Sequence, residues 1–219
     1  MQENIDIDLS ILPRAVYQFV EMELDQCRAL NVPINMPNTR SVLSNGVDCA
    51  GFFDDNPLEF AVACGKTYKK WFPVFVHESC HRDQWSSDPK LWNKRVDGME
   101  PMVVFDEWIQ GNVELDADVL RRITTVMLEV ELDCEMRSAA KIRQHRLPIK
   151  LDTYIRKSNA YVWSYRLMQE TRIWNHSAAY EYPQVWRKMP KEFCDDYAVM
   201  PNHIRSIFDT VLDELTDPR

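Results

Sequence analysis

Five glycines among 219 residues are too few for a turn-rich sandwich or barrel, so a mostly helical chain is expected. No apolar run approaches the roughly 18 residues that a membrane span requires, and no membrane partner is expected. The start, Met1-Gln2-Glu3-Asn4-Ile5-Asp6, is acidic and lacks the apolar core of a signal peptide. Cys27, Cys49, Cys64, Cys80, Cys134 and Cys194 include no Cys-x-x-Cys pair. They read as reduced, buried thiols and not as a disulfide frame, which suits a cytoplasmic chain. Positive charge is also scarce: 26 Lys and Arg stand against 34 Asp and Glu, a net charge of −8. Nucleic-acid affinity rests on clustered basic residues, so no nucleic-acid partner is expected.

Apolar material is plentiful. Hydrophobic residues make up 45% of the chain, with seven Trp, eight Tyr and nine Phe, enough for a packed core without disulfide staples. A single domain is expected, with its core over about 41–145 and a C-terminal helical part over about 150–219. The pattern predicts helices over 10–31, from Pro73 to about Trp85, over 116–144, over 153–173 and over 203–215. Gly51 to Phe53 and Leu58 to Cys64 flank the turn-forming Asp54-Asp55-Asn56-Pro57, which predicts a β-hairpin. Asn175 to Pro183 reads as a loop. The expected fold class is α+β, mostly helical, with a small antiparallel sheet beside two helices that bear the site.

Those two helices carry the chemistry. In His77-Glu78-Ser79-Cys80-His81 two imidazoles stand four residues apart, so both project from one helical face and can reach one ion. Zinc accepts such nitrogens, and Glu78, one residue round the helix, is placed to take a proton from a metal-activated water. A catalytic site wants a third protein ligand and one open position. Stepping along Leu120, Ile123 and Met127 by threes and fours leads to Glu131, Cys134, Glu135 and Ser138, so two carboxylates one turn apart are expected on the inward face. Glu131 is assigned as the third metal ligand. Glu135 is assigned as the acid that orients a ligand histidine through its other ring nitrogen. Glu129 and Asp133 are expected to face outward.

His77, Glu78, His81, Glu131 and Glu135 together resemble the gluzincin metallopeptidases, which pair a His-Glu-x-x-His helix with a later Glu-x-x-x-Asp helix. The resemblance implies a zincin-like core, a zinc cofactor, a peptide or protein substrate, and amide hydrolysis with Glu78 as general base. It also implies a substrate-binding strand ahead of the first helix. Leu58 to Ala63 stands in that place, with Leu58, Phe60 and Val62 as its candidates. Two departures are visible: Glu135 stands where Asp is commoner, and 50 residues separate His81 from Glu131. The intervening segment, with Trp92, Pro101 and Phe105 to Trp108, is a candidate wall or cover for a cleft. More narrowly, Trp71 to Trp85, Glu131 to Glu135 and Trp174 to Phe193 are similar to uncharacterised metallopeptidase-like proteins of tailed bacteriophages, which would make the compartment a host cytoplasm.

Hydrolysis also needs a donor for the developing oxyanion. Tyr180 is the first candidate and His176 the second. His145 and His203 read as structural. Cys80 and Cys134 read as small residues that let helices approach, with a metal-ligand role as the lesser alternative. Tyr161, Trp163 and Tyr165 read as core. Two other functions stay open: a regulatory or binding protein that keeps the metal without proteolysis, and a metal-free helical interaction protein.

Overall fold

The computed structural model describes residues 2–44 and 46–216, and within them the chain is α+β and mostly helical. Strands β1 (Glu3–Ile5) and β2 (Ile34–Met36) flank helix α1 (Arg14–Ala29). Then come β3 (Val42–Ser44), β4 (Val47–Cys49), β5 (Gly51–Asp55), β6 (Leu58–Val62) and the long helix α2 (Tyr68–Ser87). Helices α3 (Pro89–Trp92), α4 (Pro101–Ile109), α5 (Ala117–Gln144) and α6 (Leu151–Thr171) follow. A 3₁₀ stretch over Trp174–Glu181, α7 (Pro183–Trp186) and α8 (Asn202–Thr216) end the described chain. Two compact units divide it, Met1–Pro89 with Arg137–Ile149, and Lys90–Met136 with Lys150–Arg219; α5 runs through both.

In the first unit the sheet order is β1-β2-β6-β5. The hairpin β5–β6 forms as its turn residues require, with Phe53 opposite Phe60 and Asp55 opposite Leu58. The expected all-antiparallel sheet is corrected, because β1, β2 and β6 pair in parallel. Helix α1 carries the chain from β1 back to β2, as parallel neighbours demand a crossover. Strands of three residues are too short to show period-two alternation, so the first 40 residues give no local sign of them.

Helix α2 begins at Tyr68, five residues before the expected start, with Pro73 inside it. Pro73 cannot donate to the Lys69 carbonyl, but the extra turns seat Trp71 and Phe72 in the apolar interior. Aromatic rings pack edge to face there: Phe60 on Phe75 at 5.2 Å and Phe19 on Phe72 at 5.9 Å.

A buried charge network crosses this core. Arg82, fully buried, binds Glu23 Oε2 at 2.5 Å and the Glu23 carbonyl at 2.7 Å. Lys141 Nζ reaches Glu23 Oε1 at 2.8 Å, Asp83 Oδ2 at 2.8 Å and Ser79 Oγ at 2.9 Å. Two cations thus face two carboxylates from α1, α2 and the end of α5. Burial works against the Lys141 charge, yet Cys80, Glu23 and Asp83 hold its pKa above the usual lysine value.

In the second unit α4, the first turns of α5, α6 and α8 enclose Phe105, Ile123, Trp163, Leu167 and Phe208. Phe105 and Trp108, expected at a cleft wall, are instead buried in this core on α4, which Pro101 opens. The expected 175–183 loop is wound into the 3₁₀ stretch over Trp174–Glu181.

Two outcomes follow. Arg82→Met and Glu23→Gln each leave this buried network with one uncompensated charge and should lower unfolding stability by about 3–5 kcal/mol in urea titration. Glu3→Gln, which breaks a partly exposed pair with Arg28, should leave the midpoint nearly unchanged. Burial also pushes the Cys64 thiol from 9.0 up to about 12. The unfolded chain therefore ionises first, so stability is full below pH 9 and falls as pH rises toward 12. At a pH of about 10.5 the loss is about 2 kcal/mol. A Cys64→Ser chain should lack that part of the alkaline slope; identical slopes would refute the assignment.

Candidate metal centre

Helical spacing brings the two imidazoles of α2 together. His77 Nε2 and His81 Nε2 stand 3.0 Å apart, with ring centroids 4.7 Å apart. His81 is buried and His77 half-buried. One turn further, Gln84 Oε1 lies 2.8 Å from His81 Nδ1. An amide oxygen only accepts, so Nδ1 carries the proton and Nε2 presents its lone pair. Two nitrogens on a tetrahedral zinc ion stand about 3.4 Å apart, so this spacing fits a shared cation with little adjustment.

Glu78 is buried beside the start of β5. A Cβ on Gly51 would lie 2.7 Å from Val74 Cγ1, 2.9 Å from the Ala61 carbonyl oxygen and 3.3 Å from Glu78 Cγ. Only glycine lets the strand and the helix meet here. Burial first, and then the charge of Glu78, push the Cys49 thiol pKa up, which places the carboxylate near the end of the β3–β4 hairpin. β5 is thus the strand beside Glu78, and it is the last in the sheet order. The expectation for Leu58, Phe60 and Val62 is corrected: β6 lies between β2 and β5, and Phe60 and Val62 are wholly buried. Hydrophobic alternation could not reveal this, because it does not say which strand ends a sheet.

On α5 the inward stripe is as expected. Leu120, Ile123, Met127, Glu131, Cys134, Glu135 and Ser138 are all buried, while Glu129 is exposed. Three donor atoms, from His77, His81 and Cys134, lie within 4.8 Å of one another. Glu131 is not one of those three. Its Oε1 accepts a hydrogen bond from Tyr165 Oη at 3.0 Å, and Glu135 accepts one from Ser158 Oγ. The orienting place assigned to Glu135 is, for His81, held by Gln84 of the same helix. Cys80 fills the packing role expected of it, accepting from Ser138 Oγ at 3.3 Å.

Tyr180 lies edge to face against Tyr161, with centroids 5.1 Å apart. Burial, with Glu181, Glu135 and Glu131 nearby, raises its pKa, so the phenol stays protonated and can donate. The His176 side chain lies outside the described residues. His145 packs on Phe19 at 5.2 Å, as expected of a structural residue, and His203 is exposed in the first turn of α8.

Sequence reasoning gave no role to Gln84 and read Tyr165 as core only. Their signals were present as an acceptor three residues after His81 and a tyrosine pair four residues apart on α6. Set against known protein families, curated proteins and solved structures, the chain finds no match.

Proposed function

We propose that this chain is a zinc-dependent hydrolase acting on amide bonds, with a zincin-like core. The observation that carries the reading is the convergence of His77 Nε2 and His81 Nε2 at 3.0 Å on one face of α2, with Glu78 beside them. Nitrogen donors at this spacing suit zinc, and with Nδ1 of His81 donating to Gln84, Nε2 is the ring nitrogen that faces His77. Glu131 on α5 is the third ligand of this reading. The gluzincin resemblance supports the same set.

His77, His81 and Glu131 would hold the zinc, which would supply Lewis acidity toward a carbonyl and an activated water. Glu78 would take a proton from the attacking water and pass it to the leaving amine. Its buried flank keeps the carboxylate from competing solvent. β5 is the strand along which a peptide substrate would run, and the Tyr180 hydroxyl is the donor for the developing oxyanion.

A second reading rests on Cys134. If its thiolate joins His77, His81 and Glu131, four protein ligands close the coordination sphere and leave no position for water, the mark of a structural site. The protein would then keep the metal for regulation or binding without hydrolysis.

Purified protein should carry about one zinc, and His77→Ala and His81→Ala should carry none while keeping their helical circular dichroism. Equal metal in all three samples would remove the site. Glu78→Gln should keep the metal and lose about 10²- to 10⁴-fold in turnover of a quenched-fluorescent peptide library. Cys134→Ser separates the two readings: it keeps metal and activity in the open site, and loses metal in the closed one.

A further inference from the structure

The two carboxylates of α5 are met from α6 by hydroxyl groups. Tyr165 donates to Glu131 and Ser158 donates to Glu135, so successive pairs run in opposite directions along the two helices. A hydroxyl donor leaves a carboxylate its whole negative charge, where Lys or Arg would cancel it. Glu131 is only 5% exposed, and a buried carboxylate held in this way keeps the charge that a dication needs.

The donor itself is held. Tyr161 and Tyr165, four residues apart on α6, bring their hydroxyl oxygens to 2.9 Å. The Tyr165 proton is committed to Glu131, so Tyr161 must donate to Tyr165. The chain of donation runs from Tyr161 to Tyr165 to Glu131 Oε1, and each member strengthens the next. The rings are clamped as well: Tyr161 and Tyr165 pack edge to face at 5.5 Å, and Tyr180 closes on Tyr161 from the 3₁₀ stretch.

We infer that Tyr165, backed by Tyr161, is a positioning residue that ties one oxygen of Glu131 and so restricts the carboxylate to single-oxygen ligation through the other. This rests on the ligand role proposed for Glu131. Tying one oxygen has a chemical consequence. A freed carboxylate can swing to bind through both oxygens, which raises the coordination number and occupies the position a water would take.

Cobalt(II) titration of the full chain tests this, because its visible absorption is strong in four-coordinate sites and weak in five-coordinate ones. Tyr165→Phe keeps the ring and loses only the hydroxyl. It should weaken cobalt affinity about 10- to 100-fold and lower the visible absorption per bound ion, with Tyr161→Phe giving the same change to a smaller extent. A purely structural hydroxyl would lower thermal stability of the metal-free chain and leave affinity and spectrum at their wild-type values; that result overturns the inference. Two controls locate any other failure. If Glu131→Gln binds as wild type while His77→Ala does not, the ligand role of Glu131 is wrong. If wild type binds no cobalt, the metal reading itself is wrong.

Discussion

The rotation of α2 is set by the charge network at its far end. Arg82 follows His81 directly, and its guanidinium meets Glu23 and Gln26 of α1 as well as its neighbour Asp83. Ser79 and Asp83, one turn apart, face Lys141 in the same way. Turning the helix by one residue would strand two buried cations from their carboxylates, a cost of several kcal/mol. Because successive residues on a helix differ by a fixed angle, locking Arg82 and Asp83 also locks the direction in which His77 and His81 point. The imidazole pair is thus aimed by residues that play no part in the chemistry.

Within that frame each candidate group has a local reason for its state. Gln84 sets the protonated nitrogen of His81, and Gly51 makes the room beside which Glu78 sits. Tyr165 holds one oxygen of Glu131. These are all neutral groups, so none removes the charge or lone pair of the residue it supports. That choice separates these groups from a set that neutralises itself, as the Arg82 network does a few residues away.

The open and closed readings of the site differ by one sulfur. Cys134 is small and buried, which suits close helix packing, and it also offers a soft donor among two nitrogens. Packing and ligation make the same demand for a compact, buried side chain. Composition and spacing could not decide between them.

What the sequence determined by itself is what repeats at short range. The imidazole pair, the buried stripe of α5 with its two carboxylates and the hairpin around Asn56-Pro57 are all consequences of period and turn chemistry. Tertiary structure alone decided the rest. Two parallel strands of three residues exist because neighbours pair with them, and α2 starts before Pro73 because its aromatic residues have a core to enter. The bonds from Glu23 to Arg82 and to Lys141 join residues 59 and 118 positions apart. Local periodicity carries no record of such distances, since burial is shared by many residues and the partner is chosen only when the chain has closed.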